Sequence, residues 1–245
     1  MDFTIEELSM NAWPALQTLL YDGWVIRFAD GYGNRSNSVN PIYPSKIDVE
    51  QKLNYCDSLF MRHGLPAAYK LAGCKEHLKL DKRLDELKYG QINITSVQVH
   101  NELRILEKGW GGIKIKNHFD DDWMEGVIGL NKIKEAHRPI FKTIIRNICT
   151  EKIVVQKETE DGIVGCGYGA IDNNYVGIFD VVVKESERGK GYGREIVTAI
   201  LSEGRKRGIE KSYLQVMENN CIAKKLYEKL GFKEVYKYWY RKKPV

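Results

Sequence analysis

No stretch of this 245-residue chain is apolar over a length that could cross a bilayer, so no membrane-spanning helix is expected. A signal sequence is also missing from the reading: Met1–Ser9 carries three acids and no basic run. Cysteine is scarce. The five, Cys56, Cys74, Cys149, Cys166 and Cys221, are odd in number and never form a C-x-x-C pair, which argues for reduced thiols in a cytoplasm. The five histidines make no metal-ligand spacing with them or with one another, so no metal is expected. Basic charge is not gathered into a stripe either. The net charge is +5, lysines alternate with acids along Lys79–Lys88, and Arg241-Lys242-Lys243 reads as a solvated tail. Nucleic acid and membrane are therefore not expected partners.

What is present is enough for a core: 43% hydrophobic and 29% charged residues, compatible with one large or two small domains. The most informative stretch is Tyr175–Gly208. Val176–Val183 is apolar, rich in β-branched residues and too short for a free-standing helix, so it reads as a strand buried on both faces. Arg188-Gly189-Lys190-Gly191-Tyr192-Gly193 follows, and then Ile196, Val197, Ile200 and Leu201 recur at helical spacing up to Gly208. A glycine turn between strand and helix brings backbone N–H groups and the positive end of the helix dipole to one point, which suits a phosphate. It is not a P-loop, because no Ser or Thr follows Gly191 or Gly193. Nor does its spacing match G-x-G-x-x-G.

The pattern Arg-x-x-Gly-x-Gly resembles motif A of the GNAT superfamily, the acyl-CoA-dependent N-acetyltransferases. A second signature follows the next strand, Ser212–Val216. Asn220, Ala223, Tyr227, Gly231 and Phe232 reproduce Asn-x-x-Ala-x-x-x-Tyr-x-x-x-Gly-Phe. The resemblance covers Gly112–Val245. It implies an α/β (α+β) fold whose mixed, mostly antiparallel sheet contains one parallel, splayed strand pair. Acetyl-CoA is the implied co-substrate, held by Arg188, Gly189, Lys190, Gly191, Tyr192, Gly193 and Arg194. Backbone N–H groups around Val181, Val182 and Val183 would polarise the thioester carbonyl. Asn220 would lie near the pantetheine arm, or would simply cap its helix. Tyr227 would act as general acid beside the sulfur, the alternative being a core tyrosine. Asp180, the one acid in the apolar strand, is the candidate base; a structural carboxylate is the other reading. Gln215 could face the acceptor groove, and Tyr236, Tyr238, Trp239 and Tyr240 read as core and groove wall.

The first hundred residues echo the same order at shorter length. Ile5–Leu20 reads as a helix interrupted at Pro14, and Gly23–Ala29 and Ser36–Pro41 as strands. Asp48–His63 is a good amphipathic helix ending at Gly64, followed by a strand Ala67–Leu71, a helix from about Asp81 to Lys88, and an extended segment Ile92–His100. This predicts a tandem: a degenerate GNAT-like domain over 1–108 and an intact one over 112–245, hinged at Lys108-Gly109-Trp110-Gly111-Gly112. An unrelated α/β extension is the alternative. In the first copy Asn40-Pro41-Ile42-Tyr43-Pro44-Ser45 stands where the glycine turn belongs, and two prolines remove N–H donors, so it is expected to hold no CoA. The function implied is direct acetyl transfer from acetyl-CoA to a primary amine of a small-molecule or peptide acceptor, by a monomer or homodimer. The alternative is a non-catalytic acyl-CoA-binding regulator.

Overall fold

The computed structural model of the chain describes residues 4–105 and 110–244. Lys108 and Gly109 of the expected hinge lie outside the described residues. In chain order the elements are α1 (Thr4–Ala12), β1 (Gln17–Tyr21), β2 (Trp24–Phe28), β3 (Ser38–Pro41), α2 (Val49–Arg62), β4 (Ala68–Ala72), α3 (Lys75–Glu86) and β5 (Gly90–His100). They continue with β6 (Ile113–Lys116), α4 (Asp121–Leu130), α5 (Arg138–Arg146), β7 (Glu151–Thr159), β8 (Gly162–Asp172) and β9 (Tyr175–Val183). The last are α6 (Tyr192–Lys206), β10 (Lys211–Met217), α7 (Cys221–Lys229) and β11 (Lys233–Lys242).

The chain forms two compact units. One is residues 1–97 with 217–219 and 235–245, and the other is 98–216 with 220–234. The last eleven residues, grouped with the C-terminal domain in the sequence, thus pack with the first unit. Tyr238↔Ala72 and Tyr240↔Lys70 pair β11 with β4 antiparallel, and Trp239 Nε1 and Arg241 Nε donate to Asp81 at 2.6 and 2.7 Å. The aromatic cluster is core, but of this unit: Tyr238 and Tyr240 pack with Ala72 and Val97.

Strand order in the first unit is β1-β2-β3-β4-β11-β5. Its opening departs from the expected single helix. Pro14 ends α1 early, and Gln17–Tyr21 forms a hairpin with β2 across Asp22-Gly23, both at positive φ (41° and 80°). An Asp-Gly pair is the strongest short hairpin signal, and here it overrides the apolar periodicity. β3 and β4 run parallel, meeting at Val39↔Tyr69. The core beneath them contains Ile26, Val39, Phe60, Tyr69, Leu71 and Leu84.

Strand order in the second unit is β10-β9-β8-β7-β6. β6 to β9 are antiparallel neighbours, whereas β9 and β10 are parallel, with α6 crossing between them. The alternating glycines of β8 explain how α6 sits so close. A Cβ on Gly167 would stand 2.8 Å from Ile196 Cγ2, and one on Gly169 would stand 2.6 Å from Ile200 Cγ2. On this face Val176, Ile178, Ile196, Val197, Ile200 and Leu214 form the core. The other face is covered by α4, which packs on β8 and β9. Trp123, Tyr168, Phe179 and Tyr213 lie edge to face or stacked along it, with neighbouring ring centroids 5.4–6.0 Å apart. The acid triplet at the α4 start has the expected structural role, since Asp120 Oδ1 accepts from Trp123 N at 2.9 Å.

Candidate active site

The site is built from the point where β9 loses its parallel partner. Pairing with β10 runs from Tyr175–Lys211 to Ile178–Leu214 and stops there, while β8 stays paired with β9 as far as Gly165↔Val183. Consequently Val176–Phe179 are buried but Asp180–Val183 are only half-buried, not the strand closed on both faces that composition suggests. A slit opens between the last residues of β9 and those of β10.

A β-bulge sits at the slit. The register passes from Tyr168↔Phe179 to Cys166↔Val182, so Asp180 and Val181 face the single residue Gly167. Asp180 takes φ 48° to accommodate this. The bulge shifts the alternation, and Val181 and Val183 join Val176 and Ile178 in packing on the α6 side. Asp180 neighbours Cys166, whose thiol is pushed up to about 12 by burial and then by that carboxylate. Cys166 Sγ lies against α4, 3.3 Å from where a Cβ on Gly126 would be.

Beyond β9 a 3-10 turn, Glu185–Glu187, leads into the glycine segment. Gly189 and Gly191 have φ of 83° and 90°, and a Cβ on either would meet nothing within 4 Å. Gly191 is the N-cap of α6 and offers no side chain to bond the first-turn N–H groups. The backbone of Tyr192, Gly193 and Arg194 is therefore left to meet a ligand. Arg188, Gly189, Lys190 and Arg194 are exposed; Lys190 Nζ bonds Glu187 at 3.0 Å, and Arg188 Nε reaches Val183 O at 3.4 Å. One residue escaped the sequence reading. Lys157 of β7, almost wholly buried, donates to Glu195 Oε2 and Gly111 O, each at 2.6 Å, and lies 4.5 Å over the Tyr192 ring. It neutralises the one acid in the first turn of α6. Only the β7–α6 proximity reveals this, and nothing in the local sequence signals it.

Tyr227 lies on the α6 face, packed against Phe232 with ring centroids 6.0 Å apart, and burial raises its phenol to about 12. No protein group among the described residues bonds the hydroxyl, yet it is not among the unpartnered atoms sealed from water, so it meets solvent. Asn220 caps α7: its Oδ1 accepts from Ala223 N at 3.1 Å. Tyr227 and Asp180 thus occupy opposite faces of the sheet on either side of the slit. Among the described residues, no group of His, Cys, Asp and Glu is arranged to hold a metal ion, and no helix is long and apolar enough to cross a membrane.

The corresponding place in the first unit is built differently. His77 bridges the parallel pair: Ala72 N donates to Nδ1 at 2.9 Å, and Nε2 donates to Pro41 O at 2.7 Å. Burial lowers its pKa, in keeping with the neutral tautomer these bonds require. The start of α2 is capped by Asp48, which accepts from Glu50 N and Gln51 N. Slit and open helix start are both taken.

Residues 4–241 match the family described as "Probable histone acetyltransferase Rv0428c C-terminal". Among characterised sequences the chain is similar to the uncharacterized N-acetyltransferase YobR of Bacillus subtilis, 25% identical over 97% of this chain and 96% of that one. Its fold is similar to a GCN5-related N-acetyltransferase from Kribbella flavida, with a TM-score of 0.69 and 12% identity over 98% and 95% of the two chains. A tandem GNAT protein from the clavulanic acid biosynthesis pathway superposes with a TM-score of 0.61 and 12% identity, over 85% and 76%. With the glycine cradle, the bulged strand and the splayed parallel pair in place, the chain belongs to the Rv0428c C-terminal acetyltransferase family and so to the GNAT superfamily of acyltransferases.

Proposed function

We propose that the second unit transfers an acetyl group directly from acetyl-CoA to a primary amine. The observation that carries this reading is the start of α6: an uncapped helix N-terminus behind two open glycines, beside the slit between β9 and β10. The pyrophosphate rests on the backbone N–H groups of residues 189–194, flanked by Arg188, Lys190 and Arg194. The pantetheine arm enters the slit from the α6 side, past Asn220. N–H groups around Val181–Val183 polarise the thioester carbonyl where β9 has no β10 neighbour.

The amine approaches from the α4 side, where Asp180 takes its ammonium proton, directly or through water. The C–N bond forms as the C–S bond breaks. Tyr227 faces the leaving sulfur. A phenol raised to about 12 stays protonated at every working pH. Handing its proton wholly to a thiolate of pKa ~8.5 would be uphill by about 5 kcal/mol, so Tyr227 stabilises the departing thiolate by donating a hydrogen bond. The remaining proton comes from solvent. The first unit binds no CoA, because His77 fills its slit and Asp48 its helix start. The five cysteines, unpaired among the described residues, suit a reducing cytoplasm.

A panel of polyamines, amino acids, aminoglycoside-type antibiotics and peptide N-termini, followed by CoA thiol release, tests the reading. At least one amine accelerates release well above acetyl-CoA hydrolysis. Release that is the same with and without every amine contradicts the proposed transfer.

A further inference from the structure

The first unit holds a cavity of about 930 Å³ that acetyl transfer does not use. Its walls are apolar: Trp24, Ile42, Pro44, Ile47, Val49 and Leu80. The volume is that of a small-molecule site. The polar groups on the wall are already committed. Lys52 Nζ donates to Asp22 O at 2.5 Å, to Asp22 Oδ2 at 3.2 Å and to Ser45 Oγ at 2.5 Å, and it lies 4.2 Å over the Trp24 ring. Ser45 Oγ donates onward to Asp22 Oδ2 at 2.7 Å. His77 uses both ring nitrogens on the backbone. A ligand in the interior therefore finds hydrocarbon and ring faces and few groups left to hydrogen-bond.

Charge at the lining is unbalanced, with Lys52, Lys79 and Arg83 against the single acid Glu76. Lys52 is paired with Asp22, and Arg83 is paired with Glu50 and Glu86. Lys79 is exposed and forms no ion pair among the described residues. We propose that this cavity binds a small apolar carboxylate, its hydrocarbon body against Trp24 and Leu80 and its carboxylate beside Lys79 Nζ. The site is independent of the acetyl-CoA cradle of the second unit.

The test uses the full chain with decanoate, 1-decanol and decanoyl-CoA. Binding is read by calorimetry and by iodoacetamide labelling of Cys74, a half-buried cavity-lining thiol, resolved by peptide mass. Decanoate is expected to bind saturably at one per chain and to slow Cys74 labelling severalfold. Lys79→Gln, an exposed change that leaves the fold intact, weakens decanoate about 2–5-fold and leaves decanol unchanged. Ile47→Trp, which fills the cavity, weakens both by more than about tenfold. Four results would each overturn the proposal: no saturable decanoate binding, unprotected Cys74, equal response of decanoate and decanol to Lys79→Gln, or decanoyl-CoA protecting Cys74 at lower concentration than decanoate.

Discussion

Tyr227 combines a buried ring with a hydroxyl that meets solvent, and its chemistry follows from both. Burial raises its pKa to about 12, so loss of its proton cannot limit the rate below about pH 11. Tyr227→Phe keeps the ring packing and removes one hydrogen bond to a developing anion, worth about 1.5–3 kcal/mol. Turnover is expected to fall roughly 10–100-fold with the KM for acetyl-CoA little changed, because the bond forms mainly in the transition state. Measuring kcat, KM and Tm together decides the matter: full activity removes the role, and a lost fold would mean the hydroxyl is structural. Tyr227 was legible in the sequence because its spacing from Asn220 and Gly231 is a property of one helix. Lys157 was not, because its importance depends on a strand and a helix start some forty residues apart.

At the scale of elements, strand–turn–helix segments governed by local chemistry were the legible ones. Asp48 caps α2, Pro139 lies at the start of α5, and Gly191 opens α6 in the left-handed region. The misread segment was Gln17–Tyr21, where a tight Asp-Gly turn outweighed helical periodicity. The same turn supplies a pH prediction. Asp22 is held below the ordinary carboxylate range by Ser45, with Ile47 N, Lys52 and Lys46 N adding to it. A lowered folded-state pKa contributes stability above the unfolded value of ~3.9, lost as pH falls through the folded value. The Tm gap between wild type and Asp22→Asn is therefore expected to be present at pH 6 and to shrink below about pH 4; a gap that widens on acidification contradicts it. On the second unit, Gly169→Val forces side-chain atoms into Ile200 and Val176. Such overpacking costs about 1–3 kcal/mol, a fall of roughly 2–10 °C in Tm. Acetyl-CoA affinity should weaken with it, as α6 is lifted from β8. Unchanged Tm and affinity would show that the glycine row is dispensable.

For the whole molecule, the sequence carries two copies of one plan, a parallel strand pair with a helix crossing between, and each unit realises it. Only the second keeps an open helix start and an unfilled slit. That difference was legible as Pro41 and Pro44 against Gly189 and Gly191. The allocation of the last strand to the first unit was not, because pairing of β11 with β4 joins residues far apart in sequence. The account turns on the cradle of α6, and calorimetric titration of the full chain with acetyl-CoA tests it most directly. The predicted result is one acetyl-CoA per chain, with binding abolished by Gly191→Glu, which strains a φ of 90° and places a carboxylate against the pyrophosphate. A stoichiometry near two, or undiminished affinity in Gly191→Glu, would contradict it.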